Sequence, residues 1–177
     1  MEKSGAARWR ERLITLSVIV ERRASTSRWV KHRWNAVAVA PAVGDTPDWQ
    51  LLSDADGVQR YHACNLHLDL HRKETEGYKV NLAGTAPAVY VLLRPTDDDD
   101  RPWQPVEVSV SAYNALSGTE VGDDQVDAVP MGPVVETLVR QFVDRHHVDQ
   151  PFFKRKRKGA DKKLGELSDF RPVKDLH

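Results

Sequence analysis

Cysteine is almost absent from this sequence, and other missing features narrow its class further. The 177 residues include one cysteine, Cys64, so the chain can form no internal disulfide and no cysteine-rich zinc module. Its longest apolar run, residues 13–20, is far shorter than the roughly 20 residues that a membrane-spanning helix needs. The first residues carry charges without the apolar stretch of a secretion signal. We therefore expect a cytoplasmic protein without a membrane span.

Glycine-rich loops and catalytic motifs are missing as well. The ten glycines are spread along the chain. They form neither a Walker phosphate-binding loop nor the GxGxxG turn of a dinucleotide-binding domain. The GxSxG turn of serine hydrolases is absent too. The sequence therefore predicts no catalytic residue and no cofactor, which favours a protein that is not an enzyme.

The charge is unevenly distributed, although 26 Lys and Arg balance 26 Asp and Glu. Residues 151–177 hold 9 basic and 4 acidic side chains, which leaves 17 basic and 22 acidic ones in residues 1–150. A mildly acidic body argues against a surface that grips nucleic acid. The basic run Lys154–Lys158 could bind nucleic acid, anionic lipid or an acidic protein patch, and a solubilising tail is equally consistent with it.

The segment from Tyr61 to Asn81 contains most of the chemically interesting side chains. Its first half alternates as a half-buried strand does, with Cys64 and three leucines on one face. The other face carries Asn65, His67, Asp69 and His71. Residues 72–77 are typical of a polar turn, and the alternation resumes with Tyr78, Val80 and Leu82. The pattern predicts an antiparallel hairpin.

Apolar alternation recurs along the rest of the chain. It predicts strands at residues 13–23, 29–40, 88–94, 105–113 and 125–129, and a short strand or turn at 48–52. Six or seven strands followed by one helix predict an α+β fold, in which a mainly antiparallel sheet or small barrel is capped by a C-terminal amphipathic helix. We expect a single domain at residues 13–153, a flexible N-terminal segment at 1–12 and a flexible basic tail at 154–177.

The capping helix is predicted at residues 133–148. Gly132 suits the N-cap position, and Pro133 suits the first helical position, where its missing N–H costs little. Apolar residues then recur at intervals of three and four. The predicted stripe consists of Val134, Val135, Leu138, Val139, Phe142 and His146.

The strongest local candidate for a metal site is the trio His67, Asp69 and His71. Residues two apart on a strand point the same way and lie roughly 6.6 Å apart, so their side chains could converge on one ion. The alternative is the solvated face of an amphipathic strand, which we favour because no further ligand is identifiable. Cys64 lies on the leucine face, where a buried and inert thiol is expected.

Two other groups of residues have competing interpretations. Glu74 and Glu76 could act as an acid–base pair, but nothing marks a substrate pocket, so a hydrated turn is the default. Tryptophan is enriched at binding hot spots, yet indole rings near strand ends also seal cores, and we favour core sealing. The tryptophans concerned are Trp29, Trp34, Trp49 and Trp103.

The sequence also resembles a bacterial domain-of-unknown-function family, number 3305, over residues 13–157. The segments that carry the resemblance are residues 19–23, Trp29 and Trp34, Tyr61 and His62, and residues 68–78, 91–95, 128–131 and 146–157. The genes of this family commonly lie beside those of molybdenum-dependent formate dehydrogenases. The resemblance implies an accessory role in maturation, assembly or regulation of that enzyme.

A protein partner is therefore expected, namely a formate dehydrogenase subunit or one of its maturation factors. The residues predicted to interact are His71, Arg72, Glu74, Glu76, Trp34, Lys154, Arg155, Lys156 and Arg157. A small-ligand, metal or molybdenum-cofactor carrier is the alternative. Synthesis of the guanine dinucleotide cofactor, which is another role given to this family, would require a glycine-rich nucleotide loop after the first strand, and residues 18–23 contain no glycine.

Overall fold

The protein is built from antiparallel strands arranged in two sheets. The computed structural model describes residues 10–111, 113 and 123–148. All of these except Val148 belong to one unit, Met1–His147. The elements with described bounds are β1 (Arg10–Ala24), β2 (His32–Pro41), β3 (Gln50–Ala55), β4 (Val58–His71), a 3-10 helix (Arg72–Glu74), α1 (Thr75–Ala83), β5 (Ala88–Pro95), β6 (Trp103–Ser109), β7 (Gln125–Pro130) and α2 (Pro133–His146).

The first sheet has the strand order β2-β1-β4-β3, and the second has the order β6-β5-β7. Every pairing is antiparallel. The expectation of a mainly antiparallel fold is thus confirmed. A closed barrel is not formed, because the pairings among the described residues leave the sheets as separate ladders.

The core lies on the apolar faces of the two sheets, as the alternation predicts. Leu16, Val18 and Val20 on β1 are completely buried, and so are Val89, Val91 and Leu93 on β5. The residues between them on each strand are only partly buried. Burying one such aliphatic side chain stabilises the fold by about 1.5–3 kcal/mol, so these alternating rows favour the sandwiched arrangement.

The prediction of a turn and a second strand for this hairpin is wrong. Residues 72–83 form the 3-10 helix and α1 instead of a turn and a strand. Tyr78 and Leu82 fit both interpretations, since residues four apart share a helix face and residues an even number apart share a strand face. Val80, which a strand would align with them, is 44% exposed. The chain therefore has a second helix where only one was expected.

Helix α1 is tied to the second sheet by Asn81. The Asn81 amide nitrogen donates to Ala88 O at 2.7 Å and to Val110 O at 2.9 Å, and its carbonyl oxygen accepts from Ala88 N at 3.0 Å. Gly77 permits the close approach on the same side, because a Cβ there would lie 2.7 Å from the Ser111 hydroxyl oxygen. Glycine costs a helix about 1 kcal/mol relative to alanine, so packing explains its presence.

Helix α2 forms with the predicted start, Gly132 at the N-cap and Pro133 as the first helical residue. It ends at His146 instead of residue 148. Its buried face consists of Val135, Val139, Phe142 and Val143. Val134, which was placed in the apolar stripe, is 53% exposed, so the stripe is rotated toward Val143. The Phe142 ring packs edge-on against Tyr78 of α1 at 6.3 Å.

The two sheets meet along β2 and β7, where a carboxylate replaces the missing backbone ladder. The Asp127 side chain accepts hydrogen bonds from Ala36 N at 2.6 Å and from the Asn35 amide at 3.3 Å. The Gln125 amide donates to Asp127 at 3.0 Å and to Trp34 O at 3.1 Å. We call this junction the β2–β7 seam.

The sheets meet again along β4 and β6, and we call this junction the β4–β6 seam. The Cys64 thiol lies 3.8 Å from Pro105 O. Trp49 N donates to Ala63 O on β4 at 3.2 Å, and the Trp49 indole N–H donates to the Gln104 side chain on β6 at 3.4 Å. Trp49 has a backbone φ of 59°, which is unusual for a bulky residue and is held by these contacts.

The flexible segments expected at the two ends fall largely outside the described residues. Residues 1–9 and 149–177 belong there, and the basic tail at 154–177 is among them. Strand β1 begins at Arg10 and is therefore longer than the predicted strand 13–23. Among the described residues, no helix is both long enough and apolar enough to cross a bilayer.

Replacing Asp127 by alanine should weaken the β2–β7 seam. The change leaves the Ala36 N–H without its carboxylate acceptor, and hydrogen bonds to charged groups contribute about 1.5–3 kcal/mol. We expect Asp127→Ala to lower the free energy of unfolding, measured by urea denaturation, by about 2 kcal/mol. Asp123→Ala, at an exposed position near the same strand, is the control. Equal losses for both variants would contradict the role given to this carboxylate.

The Cys64 thiol should be inert in the folded protein. Burial, aided by the negative charge of Asp48, raises the pKa of Cys64 to about 12. At pH 8 its reaction with a disulfide reagent should be more than about a thousandfold slower than that of a free cysteine. In the control Cys64→Ser/Ser53→Cys, the thiol lies on the exposed strand β3 and should react at an ordinary rate. Rapid labelling of native Cys64 would show that the β4–β6 seam opens.

Candidate functional site

A cleft of about 520 Å³ lies where the β4–β6 seam widens. Its lining residues come from three elements: Leu66, His67, Asp69 and His71 of β4, Glu74 of the 3-10 helix, and Val106, Glu107, Val108 and Ser109 of β6. The apolar members are Leu66, Val106 and Val108, and the others are polar. The cleft therefore includes three of the four residues predicted for the polar face of β4, together with Leu66, which was predicted on the opposite face.

One wall of the cleft is a strand edge. In the described part of the chain, β6 is the outer strand of its sheet and pairs with β5. On the other wall, β3 pairs with β4 up to His62, and Trp49 adds the bond to Ala63. Beyond that point β4 has no strand neighbour on this side among the described residues. Two strand edges thus flank the cleft.

The histidines and acids in the cleft do not form a metal centre in the described residues. His67, Asp69 and His71 line the same cleft, as their spacing predicts. However, the described residues contain no group of three or more His, Cys, Asp or Glu side chains that is close enough to hold a metal ion. The His67 ring is also engaged laterally, because its Nδ1 atom lies 2.8 Å from the Thr15 hydroxyl oxygen of β1.

The end of the cleft near α1 is organised by Tyr78. Its hydroxyl donates to the Glu74 carboxylate at 3.0 Å and accepts from His71 N at 3.0 Å. Tyr78 is 1% exposed, and burial raises the pKa of its phenol, so the hydroxyl remains protonated and able to donate. Tyr78 thereby fixes two cleft-lining residues, Glu74 and His71, from inside the core.

The other residues predicted to interact are dispersed. Arg72 and Glu76 are exposed on the 3-10 helix and α1, outside the cleft lining. The two glutamates that were considered as an acid–base pair have different partners. The Glu76 carboxylate lies 3.6 Å from His147 Nε2, and the Glu74 carboxylate accepts a hydrogen bond from Tyr78. The basic residues Lys154, Arg155, Lys156 and Arg157 lie outside the described residues.

The tryptophans divide between the core and the surface. Trp34 is 6% exposed, and its ring packs against Trp49 at 6.0 Å and Tyr61 at 5.9 Å, so core sealing accounts for it. Trp49 and Trp103 are partly buried against the same core. Trp29 is 87% exposed, so the expectation that it seals the core is wrong. It lies in the connection between β1 and β2, beyond the reach of either sheet's apolar face.

Sequence reasoning missed the β6 wall of the cleft. Glu107 and Ser109 alternate with Val106 and Val108, so the pattern identifies them as a polar strand face. It does not indicate which other strand they face, because β6 and β4 are not hydrogen-bonded neighbours and are far apart in sequence. That juxtaposition is visible only in the assembled sheets.

Comparison with known protein families gives a match. Residues 15–157 match the model of a family described as "Protein of unknown function (DUF3305)". No curated protein and no solved structure shows a significant match to the chain. The matched range begins within β1, extends past α2 and includes every residue that lines the cleft. The chain therefore belongs to the DUF3305 family.

Proposed function

We propose that this protein is a non-enzymatic accessory protein whose cleft binds an extended, positively charged segment of a protein partner. The observation that carries the proposal is the cleft of about 520 Å³ flanked by the edges of β4 and β6. Strand edges present backbone N–H and C=O groups that an incoming extended peptide can pair with. The alternating side chains of such a peptide would then contact the apolar and acidic parts of the lining.

The composition of β6 limits where a peptide can add. Pro105 has no backbone N–H to donate. Strand addition is therefore supported only along residues 106–109, which are the β6 residues that line the cleft. This restriction favours a short segment of defined register over a long and indiscriminate pairing.

The charge of the lining favours a cationic segment. Three carboxylates line the cleft, from Asp69, Glu74 and Glu107. Glu107 is exposed, whereas Asp69 and Glu74 are half-buried. A cleft lined mainly by one sign of charge attracts ligands of the opposite sign and repels those of the same sign. A Lys or Arg side chain next to Glu107 is thus the expected feature of the partner.

We infer the identity of the partner from the family resemblance alone. It implies a molybdenum-dependent formate dehydrogenase subunit or one of its maturation factors, and we propose that the cleft holds that partner during maturation, assembly or regulation in the cytoplasm. The groups in the cleft support binding more than turnover, since Tyr78 and Thr15 engage Glu74 and His67. The Ser109 hydroxyl likewise accepts a hydrogen bond from Ser111 N at 3.1 Å.

Reversing the charge of Glu107 should disrupt partner binding. We expect the tagged chain to recover a formate dehydrogenase subunit or maturation factor from extracts of its native host. Glu107→Arg should lower that recovery by at least about tenfold, because it places a like charge against the cationic segment. Asp144→Arg, at an exposed position on α2, makes the same charge change away from the cleft and should leave recovery unchanged.

Two results would contradict this proposal. The first is the absence of dehydrogenase subunits and maturation factors from the material captured by the wild-type chain. The second is equal recovery by Glu107→Arg and Asp144→Arg, with both variants folded as judged by circular dichroism. The second result would leave a partner in place but remove the cleft as its binding site.

A small-ligand, metal or molybdenum-cofactor carrier is the second candidate. The size of the cleft favours it, since small-molecule sites commonly measure about 300–1,000 Å³. Two imidazoles, from His67 and His71, could contact a ligand there. The three carboxylates oppose it, however, because the molybdenum cofactor carries a phosphate and is anionic. A cationic ligand is better suited to this lining.

Deleting the gene distinguishes the two candidates. For an assembly partner we expect formate dehydrogenase activity to fall while the molybdenum cofactor content of the cells stays normal. Restoring the gene with His71→Ala should leave the cofactor content normal, because no metal-binding role is assigned to that imidazole. Loss of the cofactor, or stoichiometric metal in the purified protein that disappears in His71→Ala, would favour the carrier instead.

A further inference from the structure

The hairpin between β1 and β2 presents an exposed apolar pair at its tip. We call residues 22–33 the basic hairpin. Trp29 at its tip is 87% exposed, and the adjacent Val30 is 53% exposed. A large apolar side chain in such a position makes no contact with the core, and its exposure to water contributes no favourable free energy. Two adjacent apolar side chains exposed in one connection form a candidate contact surface.

The tip is ordered by its own hydrogen bonds. Ser25 N donates to Lys31 O at 2.9 Å, which closes the loop. Within the loop, the Ser25 hydroxyl accepts from Ser27 N at 3.0 Å, and the Ser27 hydroxyl accepts from Trp29 N at 3.2 Å. Serine turns of this kind fix the backbone locally. Trp29 is thus held outward by a built turn.

The basic hairpin itself carries only positive charge. Residues 22–33 contain five Lys or Arg and no Asp or Glu, although residues 1–150 as a whole are mildly acidic. Glu21 at the base of the hairpin pairs with Arg23 and Arg60. In the described part of the chain, no carboxylate forms an ion pair with Arg28, Lys31 or Arg33. Arg28 lies over the Trp29 ring, 6.0 Å from its centre. Lys31 follows the apolar pair in the sequence, and Arg33 lies at the start of β2.

We propose that the basic hairpin docks on an anionic phospholipid surface. Indole rings favour the headgroup region of a bilayer, where the apolar ring is buried and its N–H stays hydrated. Each Lys or Arg near an anionic membrane strengthens binding further. Trp29 and Val30 would enter the interface, while Arg28, Lys31 and Arg33 contact phosphate groups. Docking is peripheral and reversible, because one such tip is a weak anchor.

A membrane surface fits this tip better than a nucleic acid does. Single-stranded nucleic acids bind in grooves where the backbone is tracked and successive bases stack on several rings. The tip offers one ring that is 87% exposed, and a side chain so exposed cannot form the wall of a groove. Val30 has no function in base stacking, whereas it would add buried apolar area in a lipid interface.

Vesicle binding by the full chain tests the proposal. The wild-type chain should co-sediment with vesicles of phosphatidylglycerol and phosphatidylcholine and should bind pure phosphatidylcholine vesicles at least about tenfold more weakly. Trp29→Ala should reduce affinity for the anionic vesicles about tenfold. Arg28→Gln/Lys31→Gln should reduce it about thirtyfold, with the remaining binding less sensitive to salt, because less of it is electrostatic.

Matched controls separate the hairpin from other parts of the chain. Val43→Ala removes an equally exposed apolar side chain, at 84% exposure, beyond the opposite end of β2, and should bind as the wild type does. Replacing residues 154–158 by glutamine removes the basic run and should leave the dependence on Trp29 intact. All variants should retain the circular dichroism spectrum of the wild type, because Arg28, Trp29, Lys31 and Val43 are exposed.

Several outcomes would overturn the proposal. Unchanged vesicle binding by Trp29→Ala and Arg28→Gln/Lys31→Gln would do so, and so would loss of binding solely in the variant of residues 154–158. Equal binding to anionic and neutral vesicles would exclude the electrostatic component. Displacement of vesicles by a single-stranded oligonucleotide that itself requires Trp29 would assign the hairpin to nucleic acid. None of these results depends on the cleft.

Discussion

The arrangement of this fold depends on how its two sheets are joined without a continuous backbone ladder. At the β2–β7 seam, the carboxylate of Asp127 accepts hydrogen bonds from the backbone of Ala36 and from two neighbouring amide side chains. Because Asp127 joins the sheets at the β2–β7 seam, the sheets can diverge at the β4–β6 seam. The divergence leaves a cleft along the β4–β6 seam, and the seam is closed where Trp49 and Cys64 contact β6.

Two surfaces of opposite character result. The cleft combines strand edges with three carboxylates, whereas the basic hairpin combines an exposed indole with three cations that form no ion pair among the described residues. Each is built from a different part of the first sheet, the cleft from the end of β4 and the hairpin from the turn that follows β1. With these two surfaces, the protein could bind a cationic partner segment and an anionic surface at the same time.

The local sequence pattern predicts the strands and helices correctly where the hydrophobic periodicity fits one structure alone. It fails where the periodicity fits both a strand and a helix. Alternation identifies β1, β4, β5 and β7, and the Gly132–Pro133 pair identifies the start of α2, since these signals are local. Residues 75–83 become helical because Tyr78 packs against Phe142 and Asn81 binds Ala88, and both are tertiary contacts that no local period reveals. Alternation also predicts the polar face of β4. It does not predict that β6 lies opposite that face, because this depends on how the two sheets are placed relative to each other. Trp29 was misassigned because composition does not distinguish an indole that fills a core from one that projects at a turn.

The acidic side chain on β6 also has a consequence for solubility at high concentration. Two copies that met edge to edge along residues 106–109 in an antiparallel manner would bring their Glu107 carboxylates close together, while Pro105 would interrupt the ladder. Like-charge repulsion and a missing donor therefore oppose self-aggregation along the strand that stands open. The same edge can still pair with a segment of complementary charge. The sequence of β6 therefore disfavours pairing with a second copy of the chain.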